Sequence, residues 1–210
     1  MTTDGRRRRL TPERILATAI DVRERGGEDA FSLRRVAAAV PCDAMSVSHH
    51  FGSRSGLERA MGAWIDDQVT APSDGDWRHR LTVLADGYRA VALRYPQTFP
   101  LLQRFLYTGT DYGHSEAVHR AMADAGIPRG RIPAVTLGWF SCVIGLAVSE
   151  VQGLVAPLDD AGAAAVADLP EDRFPLTRAL TEEYRALDPR AVFTTTVQVL
   201  HDGIQRAGAA

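Results

Sequence analysis

Two adjacent histidines, His49 and His50, close the run AMSVSHHF, and Arg54 follows shortly after. Histidine pairs can ligate metal or move protons. Neighbouring positions on a helix point about 100° apart, however, and no carboxylate or cysteine stands at a ligand spacing from this pair, so no metal is expected. Cys42 and Cys142 are far apart with no Cys-x-x-Cys companion, which predicts two reduced thiols and no zinc site or disulfide framework. The segment GSRSG at 52–56 has arginine where a nucleophile elbow needs serine. The sequence also lacks HExxH, a Walker A loop and a GxGxxG after a strand. No enzyme activity and no cofactor are expected.

The charges are unevenly spread. All 24 basic residues are arginine, and the formal net charge is -2. That balance counts at first against a nucleic-acid partner, which a basic surface would favour. Residues 1–60 nevertheless carry a net +3 and residues 61–210 a net -5. The basic part includes Arg6 to Arg9, which reads equally as a solvated tail or as an arm reaching phosphate or the minor groove.

The elements that must position these groups read as all-α, because apolar stripes of period 3.6 recur and alternating β patterns are missing. Thr11 caps a first helix with Pro12 at its first position, and Gly26-Gly27 closes it. Its stripe is Ile15, Leu16, Ala19 and Ile20. Ser32 caps a short helix to about Val40; Pro41-Cys42-Asp43 interrupts; a second short helix runs from Ala44 to His50 with Asp43 as its cap. Ser53 then starts a longer helix through Leu57, Met61, Trp64 and Ile65. The run APSDGD at 71–76 marks a linker, giving domains 1–70 and 71–210.

Residues 32–51 have the layout of a helix-turn-helix. Small Ala37 allows close crossing, and Val36, Val40, Val47 and Phe51 form the seam. Ala44, Met45, Ser46, Ser48 and His49 are then left pointing outward, into a major groove if DNA is present. Helix pairs of this layout also occur in all-α proteins that bind no DNA, so the pattern alone leaves both readings open.

Order and register add to the pattern. The first helix, the glycine pair, the helix pair, the HHF triplet, then Ser53, Arg54 and Leu57 closely resemble the N-terminal domain of the TetR (tetracycline repressor) family of transcription regulators. Weaker similarity, through Trp77, Arg94-Tyr95-Pro96 and the long helix ending near Glu150, extends to a tetracycline-repressor type of ligand-binding domain. The resemblance implies that Arg34, Ala44, Met45, Ser46 and His49 face base edges, and that Ser48, His50 and Arg54 match phosphate-contacting positions. Three positions depart from the family pattern. Ser48 stands where tyrosine is usual, Arg54 where lysine is usual, and Pro41 where a turn glycine is usual. Ser48 and Pro41 keep open a second reading, a TetR-like interaction or ligand-binding protein without specific DNA binding.

The second domain is expected to hold helices at about 77–95, 98–108, 114–125, 131–155, 176–187 and 189–207, with 156–173 a loop containing one helical turn. The apolar helix at 131–155 should be buried on several sides. The resemblance implies that it and the last helix, with the stripe Val192, Phe193, Thr196, Val197, Leu200 and Ile204, build a homodimer interface. A small-molecule effector cavity between the helices is expected, with Tyr88, Phe105, Trp139, Cys142 and Glu150 as candidate lining residues. Glu150 in so apolar a run needs a partner, and Trp64 is placed at the junction of the domains. The sequence-level function is that of a ligand-responsive regulator of double-stranded operator DNA, a repressor released by its effector, in the cytoplasm and without a membrane partner.

Overall fold

The computed structural model describes residues 11–40, 44–105 and 112–209. The Arg6–Arg9 run, the Pro41-Cys42-Asp43 break with its expected cap, and the expected helix end at Thr108 lie outside them. The described residues form twelve α-helices and no strand. They divide into two compact units, Met1–Thr70 with Ala90–His114 and Ala71–Arg89 with Ser115–Ala210. The units and the 71–76 break therefore partition the chain differently.

In the first unit, α1 (Pro12–Ala30) opens at Thr11, whose hydroxyl accepts the Arg14 N–H. Gly27, at φ 66°, breaks the helical path before Ala30, which is why the expected stop at the glycine pair and the longer helix are both visible. The helices α2 (Leu33–Ala39), α3 (Ala44–Phe51) and α4 (Arg54–Asp66) follow. Ser32 and Ser53 accept the N–H groups of Arg35 and Gly56, satisfying donors that the first turn leaves free. Ile15, Ala19, Ile20, Phe31, Val36, Ala37, Val47, Leu57 and Met61 make one core, which Leu101 joins. Trp64, expected at a junction between domains, packs edge-on against Tyr95 inside this unit, ring centroids 5.1 Å apart.

The helix α5 (Trp77–Arg94) contributes its first turns to the second unit, and α6 (Pro100–Phe105) belongs to the first. The second unit continues with α7 (Gly113–Asp124) from Ser115 onward, α8 (Ile132–Val151), α9 (Asp160–Ala167), α10 (Pro175–Ala179), α11 (Thr181–Arg185) and α12 (Pro189–Ala209). Gly126, at φ 83°, ends α7 where a Cβ would come within 3.0 Å of the Gly208 carbonyl oxygen.

Three expectations change here. The loop predicted over 156–173 contains the eight-residue α9, because Asp159 caps it through the Gly162 N–H and the run DAGAAAVA is rich in the best helix former. The helix predicted over 176–187 is two helices, broken at Leu180. There the Thr181 hydroxyl donates to the Arg178 carbonyl, a local bond that competes with the helical ladder.

The third change concerns α8. Trp139, Phe140, Val143, Ile144, Ala147 and Val148 are buried, but Leu137, Gly138, Ser141 and Cys142 form an exposed face. The chain's own helices cover one side of α8 and leave the opposite side open. The stretch Arg129–Val151 is long and apolar enough to cross a bilayer by composition alone, with mean hydropathy 1.8. Core helices of folded domains pass the same test, and the buried face of α8 packs on its own unit.

Candidate nucleic-acid interface and ligand-binding residues

The helix pair α2–α3 is seated on residues spent entirely on packing. Val36 and Val47 are fully buried, Val40 nearly so, Phe51 partly, and Leu57 and Met61 of α4 close the seam beneath them. With those positions inward, the helical period turns others outward. Met45 is 80% exposed, and His49, His50 and Arg34 are exposed. Ser46 and Ser48 are half-buried at the edge of that face. Ala44 opens α3. An exposed thioether, two imidazoles and a guanidinium on one helix pair can make apolar and hydrogen-bonding contacts to base edges and phosphates.

Arg54 is placed differently from an isolated phosphate ligand. Its Nε donates to Glu58 Oε1 at 2.8 Å, its Nη2 lies 3.9 Å from Glu28 Oε1, and its guanidinium sits over the Phe31 ring. Glu58, 3% exposed, also faces Arg23 at 3.9 Å and Arg104 at 3.4 Å. Arg23, equally buried, donates from Nε to the Gln97 carbonyl, while Glu24 accepts the backbone N–H groups of Gln97 and Thr98. Sequence reasoning missed Glu58 and Arg23. The spacing of Arg54 and Glu58, four residues apart on one helix, was the available signal for the first; nothing local announces the second.

Of the five residues expected to line one effector cavity, Trp139 and Cys142 share the groove between α8 and α12, and the other three lie apart from it. Tyr88 and Trp139 are buried core aromatics, each edge-on to Phe140 at centroid separations of 6.1 and 5.2 Å. Phe105 belongs to the first unit, where it packs on that unit's core and under the Arg59 guanidinium. Cys142 faces outward, in a groove of about 300 Å³ between α8 and α12 that includes Gly138, Val199 and Gly203. Glu150 has a protein partner, since Arg89 grips both its carboxylate oxygens at 2.7 and 2.5 Å. Among the described residues no group of three His, Cys, Asp or Glu is placed to hold a metal ion.

Residues 70–207 match the model of the tetracyclin repressor-like C-terminal domain. The chain belongs to the TetR family. No curated protein matches its sequence. Solved structures similar to this TetR-family chain include SCO7222, described as a TetR from Streptomyces coelicolor, at 20% identity and TM-score 0.79 over 95% of this chain and 100% of that one. A putative transcriptional regulator from Streptomyces coelicolor A3(2) is 26% identical, with TM-score 0.73 over 95% and 99% of the two chains. The Streptomyces coelicolor TetR family protein ActR in complex with actinorhodin is 19% identical, with TM-score 0.84 over 96% and 100%. The TetR assignment accounts for the all-helical fold and for the position of the α2–α3 pair near the start of a transcriptional regulator.

Proposed function

We propose that this TetR-family chain is an effector-responsive, sequence-specific DNA-binding regulator, a repressor that leaves its operator when a small molecule binds its second domain. The observation that carries the reading is the exposed face of α3, with Met45 and His49 turned outward by a fully packed seam. Arg34 suits bidentate bonding to guanine, His49 a base edge, and Met45 with Ala44 the thymine methyl, with Ser46 beside them. Ser48, His50 and Arg54 suit phosphate contacts that set register. Arg54 reaches a phosphate only by sharing its guanidinium with Glu58 and Glu28.

The open face of α8 with Leu137 and Cys142, together with Val199 on α12, suits a homodimer interface. A dimer would present two copies of α3 to half-sites spaced by turns of about 34 Å on a near-palindromic operator. The effector acts by stabilising a conformation whose α3 spacing no longer matches the duplex, with a coupling of about 1–3 kcal/mol. The protein works by binding, without catalysis, in the cytoplasm. ActR, whose structure contains actinorhodin, supports the effector part of the reading by similarity of fold.

A salt-dependent mobility shift with promoter DNA flanking the protein's own gene tests the proposal. A sequence-specific complex that weakens steeply with salt is expected. Absence of any specific shift at moderate salt would replace it with the second reading, a ligand-binding relative without specific DNA binding, which the pairing of Arg54 with Glu58 favours.

A further inference from the structure

The two carboxylate oxygens of Glu58 are divided between arginines of different helices. Oε1 accepts the Arg54 Nε within α4 at 2.8 Å, and Oε2 accepts the Nη1 of Arg104, on α6, at 3.4 Å. Arg23 of α1 stands on a third side at 3.9 Å. The helix α6 comes this near because α4 carries no side chain at Gly62, where a Cβ would lie 3.3 Å from the Leu101 carbonyl oxygen. Glu58 sits one turn before that glycine and Arg104 one turn after Leu101, so the close approach brings the two side chains together.

Burial separates the members of this cluster. Glu58 and Arg23 are buried, whereas Arg54 and Arg104 are half-exposed. Arg23, Arg54 and Arg104 face Glu58 and the exposed Glu28, three guanidiniums against two carboxylates, so one positive charge is left over. Each half-exposed guanidinium is also backed by an aromatic ring, Arg54 by Phe31 at 5.5 Å and Arg104 by Phe105 at 5.3 Å. A ring behind and a carboxylate beside restrain side chains that would otherwise lose much rotamer freedom on binding. Arg54 uses Nε on Glu58 and has Nη2 3.9 Å from Glu28, beyond hydrogen-bond reach, while Arg104 uses Nη1. Other nitrogens of both remain to donate to an anion.

We propose that Arg104 is a further phosphate-contacting residue of the nucleic-acid interface, held beside Arg54 by Glu58, which is a positioning residue for both. The partner is the backbone of duplex DNA, because two restrained guanidiniums suit phosphodiester oxygens and read no base. The inference rests on the DNA-binding reading above and adds α6 to an interface otherwise made by α2, α3 and the start of α4. An acid at such a place repels DNA by its own charge. Removing Glu58 nevertheless weakens binding, since both arginines lose their anchor.

Fluorescence anisotropy of the full chain with labelled poly(dI-dC) duplex over a salt series is the test, because phosphate contacts are independent of sequence and no operator is needed. The parent should bind at low salt and weaken steeply as salt rises. Arg104→Gln should weaken binding severalfold and lower the salt slope by about one. Arg120→Gln, which removes an exposed arginine from α7, should leave the slope unchanged. Glu58→Gln, at a temperature where circular dichroism shows it folded, should weaken binding and lower the slope by about one to two. In the Arg54→Gln/Arg104→Gln background the same change should leave binding unchanged or tighten it, an inversion that a loss of fold would not produce. The inference is overturned if the parent does not bind poly(dI-dC), if Arg104→Gln keeps the parent slope, or if Arg120→Gln lowers it equally. It is also overturned if Glu58→Gln tightens binding in the parent or weakens it in the Arg54→Gln/Arg104→Gln background. A parent that binds poly(dI-dC) with these dependences but recognises no operator defeats the proposed function alone and leaves the phosphate contacts standing.

Discussion

Replacing Glu58 by glutamine tests whether burial or contact distance decides the strength of the ion pairs beneath the helix-turn-helix. Glu58 and Arg23 are each 3% exposed by side chain, whereas Arg54 is 46% and Arg104 56% exposed. The shortest contact, Arg54 to Glu58 at 2.8 Å, is therefore half-solvated and contributes at most about 1 kcal/mol; Arg104 contributes no more. Arg23 lies farther, at 3.9 Å, but its charge is out of water. Removing one partner of such a buried pair costs about 3–5 kcal/mol. Here the loss is moderated because Arg23 keeps the Gln97 carbonyl at 2.8 Å and Glu28 at 3.5 Å. Glu58→Gln should thus cost about 3 kcal/mol in all. Urea unfolding followed by circular dichroism measures it, with double-mutant cycles pairing Glu58→Gln with Arg23→Met and with Arg54→Gln. The Arg23 coupling should exceed the Arg54 coupling severalfold. A total loss under about 1 kcal/mol, or a larger coupling to Arg54, would refute the argument that desolvation outranks distance at this site.

On the DNA side, His49→Ala should change base preference, whereas Arg54→Gln should weaken all sequences about equally and lower the salt slope by about one; fluorescence anisotropy on a set of operator variants reads both. Parent-like binding by both variants would mean that the register assigned to α3 is wrong. Leu137→Arg, on the exposed face of α8, should shift sedimentation from dimer to monomer with little loss of helicity, and an unchanged dimer would remove that face from the interface. Burial, and then the Arg78 guanidinium, push the pKa of the His201 imidazole on α12 below its usual value, which sets a pH dependence. Below the ordinary value of about 6.5 the unfolded chain takes up a proton that the folded chain resists, so this stability is complete above that pH and falls as pH drops below it. His201→Leu should flatten urea midpoints over that window, and an unaltered pH profile would refute the assignment.

Much of the fold is legible in the sequence because it rests on local physics. Thr11, Ser32 and Ser53 accept N–H groups of the first turns they precede, and Gly27 breaks α1, because caps and glycine kinks depend on residues three or four positions away. The seam Val36, Val40 and Val47 is buried for the same reason: a 3.6 period reveals which face is apolar. The exposed positions Met45, His49 and His50 follow by subtraction. The α9 helix is harder to read, because Gly162 and the flanking Asp and Pro residues suggest a loop, although Asp159 provides the cap.

Periodicity does not say which faces meet. Arg89 and Glu150 are 61 positions apart, and only packing decided that the lone acid in α8 would meet an arginine of α5 instead of a ligand. Phe105 and Cys142 stand out as large or polar groups on apolar helices, but one packs, partly buried, against the core of the first unit and the other lies on an open face of the second. Arg54 carries the charge its position suggests, yet Glu58 and Glu28 share it. The sequence by itself determined where the capped helices α1, α2 and α4 begin, which face of the α2–α3 pair is apolar, and that this pair has an outward face, since all of these arise within a few residues of chain. Tertiary structure decided the ion-pair partners, the destinations of the aromatic side chains and the burial of His201. Each depends on the solvent exposure and proximity of groups that only the packing of separate helices sets.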